Sequence, residues 1–342
     1  MAEGTRVLVT GAGGFIGHHL VSFLRKQGYW VRGVDLKVPE FCSTDAHEFE
    51  LLDLRWWENC LRASRGIDEV YALAADMGGM GFISCNHSQI LHNNSLINIH
   101  TIEAARQNGV RRYLFTSSAC IYPEYKQTET NCVPLREEDA YPAEPQDAYG
   151  WEKLISERLC THYREDYGLD TRIVRFHNIF GPLGTWQGGR EKAPAALCRK
   201  IAVAKQEGDD EIEIWGDGEQ TRSFCYIDDC ITGLYKLMRS EHEQPLNLGQ
   251  DRMVSINELV DIIAAIAGAR IRKKHVPGPQ GVRGRNSDNT RLREVLGWEP
   301  QVSLEDGLER TYRWIEQNVR EAVVKGNVGS ATLVRAAGGS KR

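Results

Sequence analysis

The chain lacks any apolar run approaching the roughly 18 residues that suggest a membrane-spanning helix, which argues against a membrane protein. It also lacks a basic excess: 42 lysines and arginines stand against 47 aspartates and glutamates, a formal charge of −5. A general binder of nucleic acid or of a membrane surface would carry the opposite bias. The 9 cysteines and 10 histidines show no zinc-ligand spacing, so no metal is expected. An odd number of cysteines without paired spacing fits reduced thiols better than a disulfide framework. Internal repeats and low-complexity blocks are missing too. Met1-Ala2-Glu3-Gly4 leads into a strand pattern with no signal-peptide core, and the expectation is a cytoplasmic protein.

What the chain does have is alternation. Apolar strand runs at Arg6–Thr10, Trp30–Asp35, Glu48–Asp53, Glu69–Ala74, Arg112–Ser117 and Thr171–Phe176 are interleaved with helical periods, including 89–107 and a helix from an Asp147 N-cap to Tyr167. This order predicts an α/β fold, a Rossmann-type doubly wound parallel sheet with a smaller α/β substrate-binding domain. The expected division is 1–177 for the nucleotide-binding domain, which also receives 220–248, then 178–219 with 249–325 for the second domain, and a flexible tail over 326–342. After Phe176 the alternation breaks at Gly181-Pro182-Leu183-Gly184. Helices are expected at 193–206, 228–239 and 256–267, and a last one opens at Ser303 and Asp306, which resemble a capping box.

The first strand runs into Gly11-Ala12-Gly13-Gly14-Phe15-Ile16-Gly17 and then a helix. Glycines at 11, 14 and 17 permit a tight turn, close approach to a pyrophosphate and close helix packing, with the helix N-terminus aimed at the phosphates. Asp35 closes the second strand, where a carboxylate accepts from ribose hydroxyls and repels a 2′-phosphate, so NAD is favoured over NADP. Asp53 either meets the adenine edge or is a plain helix N-cap.

Tyr149 and Lys153 lie four apart on one helix face, an arrangement in which an ammonium lowers the pKa of a phenol from about 10. The phenolate then takes a proton from an alcohol as hydride leaves for a nicotinamide, and Ser118 orients that alcohol. Cys120 has no duty in hydride transfer, and its place at a strand end beside Ser118 points to chemistry on a neighbouring carbon. Free cysteine is otherwise most often a small buried hydrophobe. Lys192, before Pro194 at a helix start, reads equally as a functional amine or a solvated charge. A bias of cations in the later half, Arg190, Lys192, Arg199, Lys200, Arg222, Arg283 and Arg285, suggests an anionic ligand such as a diphosphate, with Arg199 a candidate for a merely solvated helix face.

Gly11/Gly14/Gly17, Asp35, Ser118 and Tyr149-x-x-x-Lys153 on this pattern resemble the extended short-chain dehydrogenase/reductase family of nucleotide-sugar enzymes. The resemblance extends over Ala75–Phe82, Ser117–Glu124, Ala143–Gly150, Arg175–Asn178, 188–194 and Val282–Asp288. It implies a dimeric enzyme that holds NAD on Gly11, Gly14, Phe15, Ile16, Gly17, Asp35, Asp53, Ala75, Tyr149 and Lys153. It further implies a redox-neutral cycle on a GDP-hexose: oxidation at C4 by way of Tyr149, Lys153 and Ser118, proton exchange at C3 and C5 by Cys120 and Lys192, and re-reduction. Asn178, Lys200, Gln220, Thr221, Arg222 and Arg285 would hold the GDP, and Gly78, Ser118, Ala119, Cys120, Glu191 and Lys192 the hexose. A sibling activity ending in net reduction at C4 would consume NADPH, which Asp35 opposes. A silent NAD-binding sensor would be expected to have lost the serine, tyrosine or lysine, and all three are present.

Overall fold

The computed structural model describes residues 4–324; the tail expected over 326–342 lies outside them. Chain order begins β1 (Arg6–Thr10), α1 (Phe15–Lys26), β2 (Trp30–Asp35), β3 (Glu48–Leu51), α2 (Trp57–Ser64), β4 (Glu69–Ala72), α3 (Met80–Ile83) and α4 (His87–Gln107). It continues with β5 (Arg112–Ser118), α5 (Ala148–Tyr167), β6 (Asp170–Phe176), β7 (Ile179–Phe180), α6 (Ala193–Glu207), β8 (Glu211–Trp215), β9 (Thr221–Ser223) and β10 (Cys225–Tyr226). The last elements are α7 (Ile227–Arg239), β11 (Leu246–Leu248), β12 (Met253–Ser255), α8 (Ile256–Ala267), β13 (Arg272–Val276), β14 (Gly284–Arg285), α9 (Thr290–Leu296) and α10 (Leu304–Val324).

Seven strands form one sheet in the order β11-β6-β5-β4-β1-β2-β3, every neighbour parallel. The strand order reverses beside β1, and in such sheets ligands sit in the crevice beyond the carboxyl ends at that point. Helices α4 and α5 pack together on one face, α1 and α7 on the other. Val7, Val9, Leu20, Val174, Ile201, Leu234, Ile263 and Leu308 belong to one buried cluster, so the core runs from beneath α1 and α7 to α6, α8 and α10. The small elements after Phe176 make a parallel pair, β8 with β13, and a three-stranded sheet, β12-β9-β14.

Local chemistry sets the helix ends. Asp147 accepts the Gly150 N–H at 2.8 Å to open α5, and Gly168, at φ 70°, closes it. Ser255 and Glu258 form a reciprocal capping box at α8, and Ser303 accepts the Asp306 N–H at 3.1 Å. The strand expected to reach Asp53 stops at Leu51, and the one expected to reach Ala74 stops at Ala72, because the chain peels off the sheet there to line the crevice.

Candidate active site

At the end of β1, Gly11 takes φ 68°, and a Cβ on Gly17 would sit 2.1 Å from the Gly11 carbonyl oxygen. Only glycine lets α1 start this close to the strand. No side chain caps α1 at Gly14, so its first N–H groups and positive dipole end face the crevice, a fit for a pyrophosphate. Asp35 accepts from Gly13 N at 2.9 Å and from the N–H groups of Leu36 and Lys37 at 2.6 and 3.2 Å. Its carboxylate is thereby held at the glycine loop. Phe15 and Ile16 open α1, and Ala75 follows the β4 terminus. Asp53 is neither free nor the N-cap: Trp56 caps α2, and Arg55 grips the Asp53 carboxylate at 2.6 Å, lowering its pKa through hydrogen bonding.

Across the crevice, β5 ends at Ser118, whose Oγ accepts the Cys120 N–H at 3.2 Å and so starts a short 3-10 turn over Ala119–Ile121. A Cβ on Gly150 would lie 2.2 Å from the Cys120 carbonyl oxygen; glycine here lets the first turn of α5 lie against that turn, which brings Tyr149 beside Ser118 and Cys120. Tyr149 and Lys153 are buried, at 6% and 2% exposure. The Lys153 Nζ lies 5.5 Å from the centroid of the Tyr149 ring and 3.8 Å from Glu152 Oε1. The expected lowering of the phenol is not what the structure gives: Tyr149 is pushed well above its usual pKa by burial, then by the charges of Glu152, Cys120 and Asp147, with the Ser118 hydrogen bond opposing. Desolvation outweighs a lysine whose charge is shared with a buried glutamate.

The second half supplies the opposite wall. Gly79 N donates to Arg190 O at 3.0 Å, and a Cβ on Gly79 would lie 2.5 Å from the Glu191 carbonyl oxygen. This contact joins the loop carrying Gly78 to the segment carrying Glu191 and Lys192. Arg190 pairs with Asp76 at 3.2 Å and stacks on Phe82 at 3.8 Å. Lys192 is exposed to solvent, and desolvation by the neighbouring atoms lowers its pKa against the opposing charges of Cys120 and Cys230. Arg285 Nη1 lies 3.3 Å from Cys120 Sγ while its Nε donates to Gln127 at 2.6 Å. Arg222, near Arg285 and Cys120, is lowered to about 9, chiefly by burial and then by Arg285. Its guanidinium donates to the carbonyls of Thr221 and Val282 at 2.7 and 2.6 Å.

The remaining proposed ligand residues are held as follows. Asn178, at φ 45°, donates to Ser223 O at 2.9 Å, and Lys200 donates to Glu213 O at 2.6 Å. Gln220 keeps a buried Oε1 with no hydrogen-bond partner, and Thr221 Oγ1 donates to Thr130 O at 2.5 Å. Arg283 is engaged by Asp217 at 2.7 Å. Arg199 is not a solvated cation: it is fully buried and pairs with Glu191 at 2.9 Å. Glu152, Asn94, Asn98 and Gly150 were missed by sequence reasoning; only Glu152 and Gly150 carried a signal, their place inside the Tyr149–Lys153 run. Among the described residues no cluster of three or more side chains could hold a metal, and no helix is long and apolar enough to cross a membrane.

A glycine loop at the strand-order reversal, an α5 tyrosine and lysine, and a serine ending β5 define a nicotinamide-dependent enzyme. Residues 7–249 match the NAD dependent epimerase/dehydratase family, and the chain belongs to it. GDP-mannose 3,5-epimerase 1 of Oryza sativa subsp. japonica is 53% identical over 327 residues, 95% of this chain and 85% of that one. GDP-mannose 3,5-epimerase of Arabidopsis thaliana is 52% identical over 95% of this chain and 86% of its own. Among solved structures, UDP-glucose 4-epimerase of Thermotoga maritima, with UDP-glucose, matches with a TM-score of 0.81 at 26% identity, covering 92% of this chain and all of that one.

Proposed function

We propose that this enzyme is a 3,5-epimerase of GDP-mannose, giving GDP-L-galactose and/or GDP-L-gulose. The observation that carries the reading is a thiol, Cys120, set between the Ser118–Tyr149 redox wall and the cationic wall of Lys192 and Arg285, in a chain 53% identical to an enzyme of that name. NAD would be held by the Gly11–Gly17 loop, the α1 N-terminus and Asp35, and supplies a hydride acceptor at C4 that is regenerated in each turnover. Tyr149 exchanges the proton of the C4 hydroxyl, Ser118 orients that hydroxyl, and Lys153 supports Tyr149. A ketone at C4 acidifies the hydrogens on C3 and C5. Cys120 and Lys192 then move protons at those carbons, one group on each face, which is what inversion requires. A lysine whose pKa is lowered by desolvation exchanges protons more readily near neutral pH. The Lys192 cation also stabilises the enolate between the two transfers.

The GDP is assigned to Asn178, Lys200, Gln220, Thr221, Arg222 and Arg285, and the hexose to Gly78, Ser118, Ala119, Cys120, Glu191 and Lys192. The division into a nucleotide-binding unit and a substrate-binding unit is assigned as expected, except that of 220–248 only α7 and β11 join the large sheet unit, while β9 pairs with β12 and β14. The enzyme is a homodimer through α4 and α5: Leu91 and Ile99 on one helix and Trp151 and Ile155 on the other are exposed at 40%, 47%, 42% and 61%, and their spacing puts each pair on one face. A cytoplasmic setting is supported by nine free cysteines.

The test is incubation of the purified protein with GDP-mannose in deuterated water without added cofactor, followed by NMR of the sugar. Deuterium at C3 and C5 with new epimer signals is the expected result. Net reduction that requires NADPH would move the assignment to the reductive sibling activity, and no exchange despite NAD occupancy would sink the substrate.

A further inference from the structure

Glu152 has no part in the chemistry described so far, yet it is the most enclosed charge beside it. Its side chain is fully buried, against 2% exposure for Lys153. Neighbours in a helix point about 100° apart and do not ordinarily meet, but Lys153 Nζ comes within 3.8 Å of Glu152 Oε1. The carboxylate is fixed from another helix. Asn94 and Asn98, one turn apart on the same face of α4, donate to Oε1 at 2.9 Å and to Oε2 at 3.0 Å. Asn98 also donates to Ser156 Oγ at 2.9 Å, and Ser156 donates to Glu152 O at 2.8 Å. A buried carboxylate without such partners would be strongly disfavoured.

Asn94 reaches further. Its Oδ1 accepts the Asp76 N–H at 2.6 Å and its Nδ2 donates to Asp76 O at 3.2 Å. Asp76 begins the segment that meets Arg190 and Glu191 through Gly79. One amide side chain thus lies between the partner of Lys153 and the loop that abuts the Lys192 segment.

We propose that Glu152 is a positioning residue for the C4 step: it orients the Lys153 ammonium beneath Tyr149 and, through Asn94, locks the Asp76–Ile83 loop to that pair. This rests on the function proposed above. The charged and titratable groups acting on Tyr149 are Glu152 from α5, Asp147 at its N-cap and Cys120 from the turn after β5, with Lys153 Nζ beneath it, 5.5 Å from the ring centroid. Those acting on Glu152 are Lys153 and Asp147, with Asn94 and Asn98 facing it from α4. The Glu152 charge opposes ionisation of Tyr149, so its removal makes the phenol ionise at lower pH. A merely structural clip between α4 and α5 would change stability and leave kcat of the folded variant unchanged.

The test uses the NAD-bound protein and the Glu152→Gln variant, each titrated for tyrosinate absorbance against the same protein carrying Tyr149→Phe, a readout that needs no sugar. The midpoint is expected to fall by about one pH unit in Glu152→Gln. The acid limb of kcat with GDP-mannose should move the same way, with KM little changed. An unmoved titration in a folded Glu152→Gln variant overturns the proposal. A moved titration in a protein whose wild type leaves GDP-mannose unchanged sinks the substrate assignment and keeps the role of Glu152. Should Glu152→Gln not fold, Asn98→Ala keeps the charge but leaves the carboxylate with one clamp, and should lower kcat with KM little changed; an unchanged kcat there overturns the proposal equally.

Discussion

Tyr149 and Lys153 sit on one helix, almost wholly buried, whereas Cys120 and Lys192 stand on a short turn and a helix start from opposite walls of the cleft, where solvent reaches Lys192. The difference suits the chemistry proposed for each pair. Hydride transfer needs a fixed, dry geometry, and a helix clamped by Glu152, Asn94 and Asn98 supplies it. Inversion at two carbons needs groups that approach a ring from two sides, which no single helix face offers. The two pairs are joined at the close approach of Gly150 to the Cys120 carbonyl.

Replacing Tyr149 should have the largest effect. Tyr149→Phe removes the proton acceptor for C4 oxidation, on which every later step depends, so epimer formation and deuterium uptake should fall together by about 10²–10⁴-fold. Uptake that survives while oxidation is lost would break the dependence of one pair on the other.

Gly150→Ala attacks the join. An added Cβ lies 2.2 Å from the Cys120 carbonyl oxygen and 2.8 Å from the Pro145 Cβ, so α5 or the turn must move, at a cost of about 1–3 kcal/mol. A lowered Tm with deuterium uptake reduced more than NAD binding is expected. An unchanged Tm would show that the two pairs are not held in register there.

The buried side should also govern stability against pH. His177, fully buried and held at 3.0 Å to Asn247, has its pKa pushed down to about 3 by desolvation, while the unfolded chain protonates histidine near about 6.5. Its contribution is therefore complete above about 6.5 and lost as pH falls toward 3, at up to about 1.4 kcal/mol per pH unit. Unfolding free energies of His177→Gln should fall less steeply over that window than those of the parent; equal slopes would remove His177 from the account. Ile155→Glu, on the exposed α4–α5 face, should shift a dimer to monomer in sedimentation while changing turnover least of the four.

The sheet was legible because β1, β4 and β5 each hold a consecutive apolar triplet, Val7–Val9, Val70–Ala72 and Tyr113–Phe115, and Asp147 and Gly168 mark the ends of α5 by their own chemistry. Strands of two or three residues, such as β7, β10 and β14, carry no period to read. In the site, glycine and Tyr-x-x-x-Lys spacing could be read because backbone and helix geometry act locally. Charge partners could not: Arg199 and Arg283 read as free cations, but one is buried on Glu191 and the other is taken by Asp217. Glu152 could be quoted from the sequence without being understood, since its burial depends on two asparagines more than fifty positions away.

The central claim is that one cleft holds a redox pair and a separate proton-exchange pair. The most direct measurement gives GDP-mannose to NAD-bound Cys120→Ala in deuterated water, following NADH absorbance and sugar NMR together. The account predicts that NADH forms and no epimer appears at C3 or C5; epimers at the wild-type rate, or no NADH in a folded variant that binds both ligands, would contradict it.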